Sequence, residues 1–323
     1  MILSTVKSTI KKFDLLKIND KILIGVSGGA DSTTLLLILA ALKKDLNLSL
    51  HIAHLDHMLR KDSYKDAGFV AKLAGNLGIP LTVKKLDIKK LNNKASLEET
   101  ARNARLEFFF ETAKTIQANK IALGHNFDDQ SETVLMRILR GTGLYGLAGI
   151  LPKRELKGFK IIRPLIEVKR KEIEAYLSRK KIIPRTDKSN FQDIYYRNKL
   201  RNKLLPLLQK EYNRNIKEVL NNLAESAGYD YDFLEGLAKK EAKDCAKLNL
   251  TKLSRMHPSL RRLTLRSAIA RLKGDTRTIN FQHLREIEDL IINRPTGSIV
   301  DLPKQISVIK NAKFLNFYIR KSK

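Results

Sequence analysis

The nine residues from Ile24 to Ser32 constrain the fold more than any other part of the sequence. An apolar run leads into a turn of serine and glycine, and a second apolar stretch of helical character follows. This order predicts a buried strand, a sharp turn and a helix N-terminus. Gly28 and Gly29 allow backbone N–H groups to approach a ligand closely, and the hydroxyls of Ser27 and Ser32 can donate to phosphate oxygens. The segment therefore predicts a phosphate-binding loop.

The loop sequence also has to be compared with two other motifs. A Walker A loop carries a lysine before its final serine or threonine, whereas Asp31 stands there, which counts against a kinase or GTPase site. Residues 25–29 also match the Gly-x-Ser-x-Gly elbow of α/β-hydrolases. That alternative needs a later histidine, and His257 and His283 lie in a segment that does not resemble a hydrolase sheet. This segment alone also allows a third interpretation, a glycine-rich turn that binds no ligand.

Short apolar runs at residues 21–26, 49–54, 81–86 and 120–125 alternate with stretches of helical periodicity. The alternation predicts an α/β fold with a doubly wound, Rossmann-like parallel sheet. The helices are expected at residues 32–44, 62–77, 96–117, 129–140 and 169–181. Val134, Leu135, Ile138 and Leu139 are expected to form one inward apolar stripe. Ligands in such sheets bind at the carboxyl ends of the strands, where Ser27 and His125 would both emerge.

The character of the sequence changes after Pro206, where Asn-rich helical sequence begins. We therefore predict a catalytic domain over residues 1–210. A smaller, mainly helical domain that ends in β-strands is predicted over residues 211–323.

Charge and cysteine content narrow the partners and the compartment. The 323 residues include 62 Lys and Arg against 34 Asp and Glu, a net charge of +28, which favours nucleic acid as a partner over an anionic membrane. An AT-rich genome is the alternative source of the lysines, but it does not explain basic clusters at residues 169–171, 179–181, 197–203 and 261–262. No run reaches the roughly 18 apolar residues of a membrane span, and Cys245 is the only cysteine. The N-terminus predicts a short basic helix to Leu16 rather than a signal peptide, so we expect a cytoplasmic protein without a membrane partner.

A second polar motif, residues 124–133, follows the fourth predicted strand and opens a helix. It places His125, Asp128, Asp129 and Glu132 at the same sheet edge as Ser27. The carboxylates could be ordinary helix caps, but a set of this size beside a phosphate loop suits Mg²⁺ or an ammonium group. His51, His54 and His57 lie at the end of the second predicted strand. A metal centre is the less favoured interpretation, and ordering of a loop over a nucleotide is preferred.

Taken together, these motifs resemble the tRNA(Ile)-lysidine synthases of the PP-loop ATP-pyrophosphatase superfamily. The resemblance runs over residues 22–206, and Leu106 and Asp56 are small departures from the family pattern. The matching stretches are residues 27–32, 54–60, 96–105, 124–133, 140–147, 187–190 and 197–201.

The resemblance implies that the chain uses ATP and Mg²⁺ to join free L-lysine to cytidine 34 of an isoleucine tRNA with a CAU anticodon. It implies catalytic roles for Asp129, Asp31, Arg105 and Arg201, with Asp31 also a magnesium ligand. The nucleotide would be bound by Ser27, Gly28, Gly29, Ala30, Asp31, Ser32, His54 and His125. The other substrates would be bound by Arg102, Asp128, Glu132, Arg197, Lys199 and Lys203. A homodimer is left open.

Each of these roles has a structural or functional alternative. Arg102 and Arg105 could belong to an exposed helix salt-bridged through Glu98 and Glu99, and the basic set at 197–203 could be a solvated helix face. A tRNA thiolation enzyme is a second hypothesis, against which the single cysteine counts. A non-catalytic, nucleotide-regulated RNA-binding protein is a third, and the acidic motif counts against it.

Overall fold

A computed structural model describes residues 2–58, 62–91, 96–185, 196–274, 276 and 278–320. Two parts of the stretches that match the family, residues 59–60 and 187–190, lie outside these ranges. The chain divides into two compact units, Met1–Ser226 and Ala227–Lys323. The boundary predicted after residue 210 falls ahead of this division and stays a prediction.

The first unit alternates strands and helices as the periodicity predicts. Its strands are β1 Lys21–Gly25, β2 Ser49–Asp56, β3 Leu81–Lys85, β4 Lys120–Ala122, β5 Lys153–Leu156 and β6 Phe159–Ile162. Its helices are α1 Ile2–Phe13, α2 Ala30–Leu42, α3 Ser63–Leu77, α4 Leu97–Thr115, α5 Phe127–Leu139, α6 Leu144–Leu147, α7 Arg170–Arg179, α8 Tyr196–Lys199 and α9 Leu205–Glu211. A 3₁₀ turn covers Ile88–Lys90, a π-helical stretch covers Leu200–Leu204, and α10 spans Ile216–Glu241.

The strands form one sheet in the order β3-β2-β1-β4-β6-β5. All neighbours are parallel except the β5–β6 hairpin, which is antiparallel. The order reverses between β1 and β4, so their carboxyl ends border the crevice where open α/β sheets bind ligands. The predicted doubly wound parallel sheet is confirmed, and the hairpin is an addition that the sequence pattern did not reveal.

Residues of β1 alternate between two cores, which explains why helices cover both faces of the sheet. Ile22 and Ile24 are fully buried with apolar side chains of α1, α2 and α7 on one face. Leu23 is buried on the opposite face with Phe109 and its neighbours from α4. Because side chains alternate along a strand, this five-residue element contributes to both layers.

The apolar stripe predicted on α5 is only half inward. Val134 and Leu135 are buried against α9 and α10, but Ile138 and Leu139 are 41% and 52% exposed. The prediction was wrong for the last turn because the packing partners on α9 and α10 cover only the earlier turns.

The second unit contains the C-terminal part of α10 followed by α11 Leu250–Arg255, α12 Pro258–Lys273 and α13 Phe281–Ile292. Its strands β7 Lys247–Asn249, β8 Ile299–Leu302, β9 Ile306–Lys310 and β10 Phe314–Ile319 form an antiparallel sheet in the order β7-β10-β9-β8. A core of α12, α13 and inward strand residues holds it together. A helical region that ends in strands is therefore confirmed. Among the described helices, none has the length and apolarity needed to cross a membrane.

Candidate active site

The phosphate loop, residues 27–32, follows β1 and leads into the first turn of α2. Gly28 has φ +88°, a conformation that glycine adopts without strain. The hydroxyls of Ser27 and Ser32 lie 3.1 Å apart, and Ser32 Oγ also accepts the backbone N–H of Ser27 at 3.1 Å. Both hydroxyls therefore lie beside the N-terminus of a 13-residue helix, where unpaired N–H groups and the helix dipole favour an anion.

Gly124, just after β4, brings the second motif against this loop. A Cβ at Gly124 would lie 3.0 Å from the backbone of Asp31 and Ser32. Backbone packs directly on backbone here, so any side chain at this position would have to displace the start of α2.

Asn126 then connects the two motifs through its side chain. Its Oδ1 accepts the N–H of Asp129 at 2.9 Å, and Asp129 Oδ2 accepts the N–H of Asn126 at 3.1 Å, a capping box that starts α5. Its Nδ2 donates to Asp31 Oδ1 at 2.8 Å. Asp129 is therefore part of a helix cap, which was the structural alternative for these carboxylates, and it also lies beside the phosphate loop.

Asp129 and Glu132 face two arginines that lie one helical turn apart. Arg197 donates to Glu132 Oε2 at 2.8 Å and to Asp129 Oδ1 at 3.0 Å. Arg201 donates to Glu132 Oε1 at 2.5 Å and approaches Asp129 Oδ1 at 3.3 Å. The Glu132 side chain is only 2% exposed, so the pairing is shielded from water on the carboxylate side. Two acids and two guanidinium groups form a charge-balanced cluster.

Asp129 is poised to exchange a proton near neutral pH. Burial raises its pKa to about 6, and the negative charges of Glu132 and Asp31 add to the increase while Arg197 and Arg201 oppose it. Burial likewise raises the pKa of Asp31 above its ordinary value against the opposing charge of Arg170. A carboxylate whose pKa is close to the working pH suits a general base.

Asp128 has a different environment from its neighbour. Its Oδ2 accepts the backbone N–H of Arg170 at 2.8 Å and its Oδ1 lies 2.6 Å from Lys217 Nζ. Burial alone would raise its pKa, but these two hydrogen bonds outweigh that effect and hold the pKa below the ordinary value. The structure thus commits Asp128 to joining α5, α7 and α10.

Sequence reasoning missed three residues of this region: Asn126, Arg170 and Lys217. Arg170 Nη1 lies 2.8 Å from Asp31 Oδ2, a contact between residues 139 positions apart. Asn126 stood inside the quoted motif, where its position as a possible helix N-cap was the available signal. Arg170 belongs to the basic run 169–171, whose charge alone predicts only a contact with a polyanion.

Three histidines, His54, His57 and His125, line the same sheet edge. His54 Nδ1 lies 2.8 Å from the carbonyl of Val26, and its buried Nε2 has no hydrogen-bond partner among the described residues. Burial, aided by the charge of Arg105, lowers the pKa of His57 to about 4. Burial and the charge of Arg163 hold the pKa of His125 well below its usual range, and Arg163 Nε donates to His125 Nδ1 at 3.2 Å.

The predicted basic residues separate into two groups. Arg197 and Arg201 face the acids, whereas the side chains of Lys199 and Lys203 are exposed. Within the described ranges neither Arg102 nor Arg105 forms an ion pair, and the side chain of Glu98 lies outside them. Arg105 acts electrostatically on both His57 and His125, which places it near the same edge.

The sheet order and the phosphate loop at its switch point define the first unit as a PP-loop domain. A family model with that description matches residues 2–208, and one described as a TilS substrate binding domain matches residues 248–308. A solved U34-tRNA thiolase, NcsA from Methanococcus maripaludis, has a TM-score of 0.59 with 18% identity over 70% of this chain and 78% of its own. At that identity the likeness concerns the fold alone.

Curated relatives narrow the class. A tRNA(Ile)-lysidine synthase of Clostridioides difficile is 40% identical over 321 residues, which cover 96% of this chain and 69% of that protein. The enzyme of the same name from Caldanaerobacter subterraneus is 38% identical over 98% of this chain and 68% of its own length. This chain belongs to the tRNA(Ile)-lysidine synthase family.

Proposed function

We propose that this chain is a ligase that joins free L-lysine to C2 of cytidine 34 in the CAU anticodon of an isoleucine tRNA. ATP is consumed, and AMP and pyrophosphate are released. The observation that carries the proposal is the placement of two carboxylates, the half-buried Asp129 and the buried Glu132, directly beside the phosphate loop. One side of the crevice suits triphosphate, and the other suits the ammonium group of an amino acid.

The first step activates the base. The C2 oxygen of cytosine attacks the α-phosphate of ATP, the bond to the β-phosphate breaks, and pyrophosphate leaves. The hydroxyls of Ser27 and Ser32 and the first N–H groups of α2 would hold the phosphates. Arg105, close to the neutral imidazoles of His57 and His125, supplies positive charge at this edge as negative charge develops on the phosphorus oxygens.

The residues present fit a magnesium ion that arrives with the nucleotide. Mg²⁺ typically takes one or two carboxylates and completes its shell with phosphate oxygens and water. Asp31 offers a partly exposed carboxylate at the loop, and within the described part of the chain no larger ligand group converges. Asp31 would hold the ion, which would neutralise charge on the departing pyrophosphate.

The second step forms the carbon–nitrogen bond. The ε-amine of lysine attacks C2, the bond from C2 to the adenylated oxygen breaks, and AMP leaves. Lysine enters with an ammonium group of pKa near 10.4, so a base must accept a proton before the amine attacks. Asp129 has the raised pKa and the position for that role, and Glu132 supports binding of the cation.

Both acids are paired with Arg197 and Arg201 in this structure. An incoming ammonium must therefore take over contacts that the guanidinium groups now make. The two arginines are then able to turn toward the phosphate of the adenylated base or toward the lysine carboxylate, groups that they bind well.

The test is incubation of the chain with CAU-anticodon isoleucine tRNA, ATP and labelled lysine, followed by location of the label by nuclease digestion. We expect label at nucleotide 34 only, dependent on ATP. Pyrophosphate release without lysine would report the first step separately. Label at another nucleotide, or none with active tRNA and ATP, would contradict the proposal.

A pair of neighbouring variants sharpens the assignment of the base. Asp129→Asn should reduce lysine transfer from pre-adenylated tRNA by about 10²-fold or more, the usual scale for loss of a positioned acid or base. Asp128→Asn should have a smaller effect on that step because Asp128 contacts Lys217 and the backbone of Arg170. Equal losses in the two variants would remove Asp129 from its role.

A further inference from the structure

Two arginines at the C-terminal end of α5, Arg137 in its last turn and Arg140 as its C-cap, each lie beneath an exposed aromatic ring. Arg137 and Arg140 are three residues apart and so lie on one side of the helix. The guanidinium carbon of Arg137 lies 5.9 Å from the ring centre of Tyr145, and that of Arg140 lies 5.2 Å from the ring centre of Tyr196. The two tyrosines are 41% and 43% exposed. We call these four residues the tyrosine–arginine platform.

The platform is held by the elements that form the active site. Arg137 Nη1 donates to the carbonyls of Gly146 and Gly149 at 3.1 and 2.7 Å, which fixes the guanidinium beneath Tyr145. Tyr196 directly precedes Arg197, the residue that binds Glu132. Both rings are thus anchored to structure that does not depend on a bound partner.

The platform also lies at a useful distance from the acids. Glu132 and Arg137 lie on α5 and Arg140 is its C-cap, so the two arginines follow Glu132 by five and eight residues, or about 8 to 12 Å at 1.5 Å per residue. A group held on the platform while its neighbour reacts at Asp129 would therefore belong to the same short stretch of polymer.

The chemistry of the platform favours RNA over a peptide. An aromatic ring that is exposed and backed by a cation is the usual stacking surface for unpaired bases, because every base has a π-face. Arg163 and Arg102 add positive charge nearby without ion pairs among the described residues, and the chain carries +28 overall. An acidic backbone with flat bases matches both properties.

We propose that Tyr145 and Tyr196 stack on the unpaired nucleobases that flank the reacting cytidine. This inference rests on the proposed function for the identity of the RNA, but it concerns residues that the reaction itself does not use. On this inference, the C-terminal end of α5 holds the anticodon loop of the RNA open, and the N-terminal end of α5 carries the acidic groups that take part in the reaction.

The experiment measures binding of an anticodon-arm RNA hairpin with a CAU loop to the full chain at fixed salt. Tyr145→Ala and Tyr196→Ala are each expected to weaken binding about 5- to 150-fold, the range for losing one base–aromatic stack. Tyr145→Phe and Tyr196→Phe should bind like the unaltered chain because the ring remains. Tyr64→Ala is the matched control, since Tyr64 is also exposed and has the ammonium of Lys65 5.8 Å from its ring centre.

Hairpins with an abasic residue on either side of the cytidine complete a double-mutant cycle. If a tyrosine stacks on the missing base, its alanine variant should lose no further affinity for that hairpin. Binding within twofold of normal for both alanine variants, additive losses with every abasic hairpin, or no RNA binding by the unaltered chain would overturn the inference. Lysine incorporation, measured separately, decides the proposed function, so either can fail while the other stands.

Discussion

The raised pKa of Asp129 makes a quantitative prediction about pH. With a pKa of about 6, the carboxylate is about 9% ionised at pH 5 and about 91% ionised at pH 7. Lysine keeps its ammonium proton throughout this interval. If Asp129 accepts that proton, kcat/KM for lysine should rise about tenfold from pH 5 to pH 7 and then level off through pH 8.

Attack by amine that is deprotonated only in bulk water would give a different curve. The neutral amine increases tenfold with each pH unit, so the rate would rise about 100-fold from pH 5 to pH 7 and would continue to rise. The assay is transfer of lysine to pre-adenylated tRNA at lysine concentrations below KM. The control is the adenylation step, measured as pyrophosphate release from ATP and unmodified tRNA over the same pH range. A continuous rise without a break near pH 6 would refute the role of Asp129.

Substitution of Arg197 should move the bend in the pH profile in a known direction. Arg197 is the largest opposing charge on Asp129, so Arg197→Gln should raise the pKa of Asp129 further above its ordinary value. The acid limb of the profile should then shift to higher pH. A shift to lower pH would contradict this description of the electrostatics.

Three further predictions concern the loop, the core and the charge. Gly124→Ala should raise KM for ATP by about tenfold, because the added Cβ would meet the backbone of Asp31 and Ser32. Gly75→Ala on α3 is the control, since its Cβ meets open space and KM should not change. Equal KM values for the two variants would refute this prediction. Lys120→Met should lower the free energy of unfolding by about 3 kcal/mol, because it removes the cation 2.6 Å from the buried carboxylate of Asp20 and leaves that carboxylate only the hydrogen bonds from Asn119 and the Lys17 N–H. Urea titration checks this, and an unchanged midpoint would contradict it. If about five phosphates are neutralised, tRNA affinity should fall about 10²- to 10³-fold from about 50 to 200 mM salt, and a flat salt titration would attribute the charge to composition alone.

The sequence predicted what depends on periodicity and on the ends of strands. β1 to β4 and their helices follow from apolar alternation, and the rule that parallel strands present their carboxyl ends together brought residues 124–133 to the phosphate loop. The β5–β6 hairpin was missed because β5 is an exposed edge strand with three charged residues in four. The contact of Arg170 with Asp31 joins side chains far apart in the sequence, and no local pattern encodes it. The exposure of Ile138 likewise depends on where two distant helices end.

The side chain of Asn126 connects the two sides of the crevice. Its amide oxygen holds Asp129 in the helix cap, and its amide nitrogen holds Asp31 at the phosphate loop. On the proposed assignment, this one planar amide group sets the spacing between the nucleotide side and the amino-acid side of the crevice. Replacing Asn126 by aspartate would turn a donor into a third carboxylate and perturb both half-reactions at once. An engineer who wishes to change the amino acid that is ligated must leave this amide in place, or ATP activation will change with it.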